Sequence, residues 1–240
     1  MGQYYKIVNV DKKQIMVPWD YDCGAKLMEW SYSGCRFVLT LLNLLKKEWK
    51  GDRVYVVGDY ADYDELNGDE EIWQEAYNKA HDEIAQGYTP RPEDKDYPPT
   101  IYSMTEEWDI VPEQFEHNSS DVRFIYNHAL QEYIDLDHCP IEWVWVDSET
   151  GSSHVSKVAP LPLLLAMGNG RGGGDYHEDC NNAWLVGAWC DTASEIDCEA
   201  AALPACSHYT EFEPDFTERD PVVPCTDVLQ EIMRVMERGC

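Results

Sequence analysis

The residues best suited to meet a ligand form one run: Gly168, Asn169, Gly170, Arg171, Gly172, Gly173, Gly174 and Asp175. Five glycines in eight positions allow positive φ angles, so successive backbone N–H groups can face one concavity and hold an anion. Arg171 would add a two-pronged contact to phosphate or carboxylate. The same composition suits a tight turn where two backbones cross, and the residues alone leave both readings open. The run lacks the Gly-Lys-Ser/Thr ending of a P-loop. It also lacks the setting of a dinucleotide fingerprint, because the pattern predicts a leucine-rich helix before it and no strand leading in.

Other chemistry-bearing residues are more dispersed. Asp59 and Asp62, with Asp64, lie in GDYADYD and offer carboxylate oxygens. The calcium-loop spacing fails, since Leu66 stands at the third ligand position and Gly68 comes late, so a solvated acidic face is the simpler reading. Asp59 and Asp62 enter as candidate partners of the glycine run. His128 and His138 flank a hairpin and could act as general bases, although a lone histidine more often has a structural role. The nine cysteines are widely spaced and form no CxxC pair, so free thiols in a reducing compartment are expected. The sharper alternative is zinc held among His177, Cys180, Cys190, Cys198, Cys206 and His208. No nucleophile elbow, HExxH, kinase set or nucleotide-binding lysine occurs, so no reaction class is indicated and no cofactor or metal is expected.

Charge narrows the partners. The chain has 46 Asp and Glu against 18 Lys and Arg, a net charge of -28. Such a surface repels nucleic acid and anionic lipid, which need a positive footprint, and favours basic partners, whether a cationic protein or metal ions. Solubility alone is the plainer explanation of the same charge. No stretch reaches the roughly 18 apolar residues of a membrane span, since the longest, 159–167, is short and contains two prolines. The N-terminal residues show no apolar signal core, and Lys6 stands where a myristoylation motif wants Ser or Thr. A cytoplasmic protein, monomer or weak dimer, is expected.

These residues must be positioned by a folded core, and 44% hydrophobic content supplies one. The pattern predicts a strand over Tyr4–Val10 turning into Gln14–Val17, and a helix over Phe37–Leu45. A central strand follows over Val54–Val57, then an amphipathic helix over Glu70–Ala85. Residues 88–99 read as a proline-rich connector and 103–121 as poorly patterned. A second hairpin is predicted from Arg123–Asn127 and Glu132–Leu136, a strand at Trp143–Val146, and a short helix starting at Pro160. Thr226–Arg238 reads as a terminal helix.

The two ordered runs resemble each other. IVNVDKKQIM (7–16) aligns with IYNHALQEYI (125–134), each with an asparagine, Asn9 or Asn127, before a four-residue connection. LTLLNLL (39–45) matches LPLLLAM (161–167), and EWKGDRVYVVGDY (48–60) matches AWCDTASEID (188–197). A preserved order of several elements points to duplication. The expected fold is α+β: two degenerate half-repeats, each a β-hairpin plus Leu-rich helix plus strand, packed as one pseudo-twofold domain. The expected organisation is 1–87 for the first half with its acidic helix, 88–121 for the connector, 122–210 for the second half with the glycine run, and 211–240 for a C-terminal extension.

At MGQYYKIVNVDKK, GAKLMEWSY, WKGDRVYVVGDYAD, PLPLLLAMGNGRGGGDY and LVGAW the chain resembles a family of intracellular proteins of actinomycetes, other bacteria and some fungi. No activity is established for that family, so the resemblance carries no catalytic residue across. It implies that Gly170–Asp175 and Gly58–Asp62 lie close together. Two functions are expected to compete: binding of a basic protein partner in the manner of an immunity or anti-defence protein, and binding of an anionic small molecule by the glycine run.

Overall fold

A computed structural model describes residues 3–59, 61, 101–113, 119–139, 142–146, 153–167 and 186–212. The first hairpin joins β1 (Tyr5–Asn9) to β2 (Gln14–Met16), and every residue of β1 is buried. A 3-10 turn (Pro18–Tyr21) and a single helical turn, α1 (Leu27–Trp30), lead to α2 (Arg36–Lys46). Helix α2 buries Phe37, Val38, Leu41, Leu42, Leu44 and Leu45, each aliphatic side chain worth about 1.5–3 kcal/mol on burial. Strand β3 (Val54–Gly58) then returns beside β1, antiparallel to it. Within the stretch read as a connector, α3 (Ile101–Met104) and β4 (Asp109–Ile110) add to this first sheet.

The second hairpin pairs β5 (Phe124–Asn127) with β6 (Glu132–Asp135). Strands β7 (Glu142–Val146) and β8 (Ser153–Lys157) form a ribbon of their own. Helix α4 (Pro160–Leu164) starts on proline, which is preset for the first helical turn, and runs into β9 (Ala166–Met167). Strands β10 (Ile196–Glu199) and β11 (Thr210–Glu211) complete the second sheet. The architecture is α+β, as expected. The predicted helices over Glu70–Ala85 and Thr226–Arg238 lie outside the described residues.

The first sheet runs β4-β2-β1-β3-β9 and the second β11-β6-β5-β10. Four strands of each therefore follow one order, with the same directions: β4 on β2 and β11 on β6 are parallel, the remaining pairs antiparallel. The likeness extends to single hydrogen bonds. Asn9 Oδ1 accepts from the Lys12 N–H at 3.0 Å, and Asn127 Oδ1 from the Leu130 N–H at 3.1 Å. Each loop ends on a left-handed residue, Lys13 at φ 51 and Gln131 at φ 56. Asn9 Nδ2 donates to Asp52 and Asn127 Nδ2 to Thr192, both at 2.8 Å. Trp49 Nε1 donates to Gln14 and Trp189 Nε1 to Glu132, both at 2.9 Å. The Trp49 N–H reaches back to the Leu44 carbonyl and the Trp189 N–H to that of Leu164. Helix α2 lies against β10 of the second sheet, while α4 feeds β9 onto β3 of the first. Each leucine-rich helix is thus joined to a strand distant from it in sequence, and one hydrophobic core takes in residues of both sheets.

Candidate functional site

The register of the first sheet decides which ligand candidates meet. Val56 and Val57 are the partners of Ala166 and Met167 in a parallel pair. The carboxyl ends of β3 and β9 are therefore neighbours, and from them the chain enters Gly58–Asp62 and Gly168–Asp175. A strand does lead into the glycine run, contrary to the sequence reading. Two residues of parallel pairing are too short to show any periodicity. Asp62 and Gly168, Asn169, Gly170, Arg171, Gly172, Gly173, Gly174 and Asp175 lie outside the described residues; Asp59 is described.

Gly58 is required where it sits. A Cβ there would stand 2.1 Å from Gln3 Nε2 and 2.9 Å from the Met167 carbonyl oxygen. The Gln3 side chain is fully buried between these strands, and its amide N and O have no hydrogen-bond partner among the described residues. One residue on, the Tyr4 and Asp59 backbones are joined by the Asp59 N–H to the Tyr4 carbonyl, 2.9 Å. The Tyr4 N–H in turn donates to Asp59 Oδ1 at 3.1 Å. Partial burial raises the Asp59 pKa above the ordinary carboxylate range, with these N–H groups opposing.

Tyr4 holds this carboxylate through its backbone N–H, and the Tyr102 hydroxyl feels its charge. Tyr4 and Trp19 are 45% and 55% exposed and meet edge to face, centroids 6.1 Å apart. Trp19 is carried by the 3-10 turn that follows β2, next to the exposed Asp20. Beneath them Lys6 is buried, its Nζ donating to the Tyr102 carbonyl at 2.6 Å and lying 4.3 Å from the centre of the Tyr102 ring. Desolvation lowers the Lys6 pKa to about 8, with Glu106 opposing. Burial, aided by Asp59, Glu106 and Tyr4, pushes the Tyr102 hydroxyl up to about 12. An exposed aromatic pair bordered by carboxylates is an arrangement that receives an ammonium or guanidinium group. Tyr4, Trp19 and Tyr102 were missed by the sequence reading. Their one legible signal was Tyr4, an aromatic at the start of the predicted first strand.

The other candidates are engaged by the protein itself. His128 Nδ1 lies 3.1 Å from the Tyr209 hydroxyl and Nε2 3.0 Å from Asp197 Oδ2, so both ring nitrogens are occupied. His138 Nδ1 contacts Asp135 Oδ2 at 2.8 Å. Asp135 also takes a fork from Arg123, at 3.0 and 2.7 Å, and its pKa falls to about 2, mainly through that arginine and also through His138. Of the zinc candidates, Cys190, Cys198, Cys206 and His208 are described, while His177 and Cys180 are not. No cluster of three or more potential metal ligands occurs among the described residues. Nor is any helix among them long and apolar enough to cross a membrane.

Cations are also spent internally. Arg36 pairs with Asp22 and Glu113, Arg53 with Asp11, Lys12 with Asp52, Lys46 with Asp121, and Lys50 with Asp197 and Glu199. Comparisons with protein-family models, with curated proteins and with solved structures give no match.

Proposed function

We propose that this chain is an acidic binding protein whose partner is a basic protein, in the manner of an immunity or anti-defence protein. In this reading two copies of one unit pack as a pseudo-twofold domain. The observation that carries it is the exposed Tyr4–Trp19 pair beside Asp59 and Asp20, on a molecule whose described arginines are already paired with its own carboxylates. An aromatic anchor gives a cationic side chain a face to sit on, and the surrounding charge draws the partner in. Nucleic acid does not fit such a surface.

Titration with an arginine-rich and a lysine-rich peptide, against a glutamate-rich peptide of equal length, tests this reading. Binding of the basic peptides should weaken steeply between low and high salt, and Trp19→Ala should cost about tenfold, or 1.4 kcal/mol. Salt-insensitive binding, or none, removes the proposal.

The paired carboxyl ends of β3 and β9 favour a second reading. Ligands of sheets with parallel strands gather outside such ends, and here an anionic small molecule would sit on Gly168–Asp175 with Arg171, near Asp59 and Asp62. A thermal-shift panel of nucleotides and sugar phosphates checks it. A melting point that no compound raises, with Arg171→Ala indistinguishable from the parent, would count against it.

A further inference from the structure

Two cysteines twelve residues apart in sequence meet at the start of α2. Cys23 Sγ and Cys35 Sγ are 3.5 Å apart, a thiol hydrogen-bonding distance. Cys23 follows the left-handed Asp22 after the 3-10 turn, where its N–H donates to the Pro18 carbonyl and its thiol contacts the Tyr21 carbonyl at 3.4 Å. Cys35 is the N-cap of α2, an eleven-residue helix whose first N–H groups and dipole favour a negative sulfur. The two sulfurs differ in access: Cys23 is half-buried, whereas Cys35 is 4% exposed.

We propose that Cys23 and Cys35 are a redox-active dithiol that exchanges with low-molecular-weight disulfides and closes a Cys23–Cys35 disulfide at the mouth of α2. A bond of ~2.05 Å requires the sulfurs to approach by about 1.5 Å. The Ser33 N–H is held by the Lys157 carbonyl at 2.7 Å, so the movement falls to Gly34 and to the half-buried Cys23. Tyr32, Ser33 and Gly34 are exposed, and Gly34 holds φ +90 with nothing within 4 Å of where a Cβ would lie.

The contact favours a thiol at Cys23 and a thiolate at Cys35. The Cys23 S–H holds the Cys35 pKa down to about 7, and the N–H groups of Phe37 and Val38 and the Tyr32 hydroxyl act the same way. The Cys23 thiol is raised by that bond and by burial, with Arg36 opposing and Asp22 reinforcing. In the reaction, Cys23 passes its proton to Cys35 along the contact, and its sulfur attacks one sulfur of the disulfide RSSR. The S–S bond of RSSR breaks and RS⁻ leaves. Cys35 then gives the proton to RS⁻, forming RSH, and its thiolate attacks Cys23 Sγ, expelling the second RS⁻. The protein loses two electrons and RSSR gains them, with one proton ending on RSH.

Full-length protein is equilibrated in glutathione buffers of graded reduced-to-oxidised ratio, quenched in acid, alkylated and mapped by mass spectrometry. A peptide linking Cys23 to Cys35 should appear and follow the buffer ratio reversibly. In Cys35→Ser, Cys23 should instead keep a glutathione adduct, since the resolving sulfur is gone. The proposal is overturned if parent protein with a native circular-dichroism spectrum shows no such linkage at any ratio. It is equally overturned if Cys23 links to a different cysteine. Should the serine variant fail to fold, the titration of the parent protein decides alone.

Discussion

Lys6 is the residue whose chemistry most depends on the fold. Burial removes the ammonium from water, and the Tyr102 carbonyl, its ring face and the charge of Glu106 offset this only in part, so its folded pKa of about 8 lies below the 10.5 of an exposed lysine. Below pH 8 both folded and unfolded chains carry the proton, and the burial cost is felt in full. Between about 8 and 10.5 only the unfolded chain holds it, so this group makes stability rise with pH across that window. Tyr102 acts oppositely above pH 10, because its folded pKa of about 12 keeps the proton when the unfolded chain has lost it. Urea denaturation from pH 7 to 10 should therefore show an upward contribution in the parent that is absent in Lys6→Met. Equal pH slopes for the two proteins would show that Lys6 is not desolvated. None of this was legible beforehand, since a lysine in a strand reads as a solvent-facing residue. Its burial comes from Tyr102, 96 residues away, in a segment with no clear periodicity.

The hairpins are the scale at which the sequence was most legible. Asn9 and Asn127 could be matched because each does two local jobs that only an amide can combine. It accepts from the N–H three residues on and donates to a side chain in the segment that precedes β3 or β10. Both are fully buried, so replacing either with alanine removes two hydrogen bonds and leaves a small void inside the protein. Asn9→Ala and Asn127→Ala should each cost about 1–3 kcal/mol, read from urea midpoints at unchanged slope. Comparable costs are expected if the two hairpins are copies; a large cost in one and none in the other would count against that equivalence. Lys13 and Gln131 test the same geometry with opposite sign. Both hold positive φ with exposed side chains, so Lys13→Gly and Gln131→Gly should each stabilise by up to about 1 kcal/mol.

The sequence alone sets no register between the two leucine-rich helices. Setting 39–45 against 161–167 ignores the tryptophan contacts, which equate Leu44 with Leu164. Leucine runs have no internal landmark, and only the hydrogen bond from a following tryptophan fixes their register. Strands β4, β9 and β11 escaped notice for a related reason. Each has two residues and exists because a neighbouring strand edge offers hydrogen bonds, as β2, β3 and β6 do here. At the candidate site this left Asp59 legible as a carboxylate and Trp19 invisible as the ring that meets Tyr4.

For the whole molecule the dominant fact is charge, and two effects of salt oppose each other. Added salt weakens the ion pairs of Arg36, Arg53, Lys46 and Lys50, which are partly exposed and worth about 0–1 kcal/mol each. It also screens the mutual repulsion of 46 carboxylates opposed by only 18 cations, an energy that grows roughly with the square of the net charge. The compact state suffers that repulsion more than the expanded chain. Its carboxylates lie within the ~30 Å Debye length of 10 mM salt, which shrinks to ~8 Å at 150 mM. With a net charge of -28, relief of repulsion should win over the loss of a few surface pairs. Raising sodium chloride from about 10 to 150 mM at pH 7 should therefore increase the Tm, while an equal osmolarity of a neutral sugar should reproduce little of the gain. A basic peptide that seats on the Tyr4–Trp19 face should raise Tm most at low salt, where its attraction is unscreened, and its benefit should fade as salt is added. A Tm that drops steadily with salt would mean that the ion pairs, and not the excess carboxylates, dominate the molecule's electrostatics. The expectation of a cationic partner would then lose its physical basis.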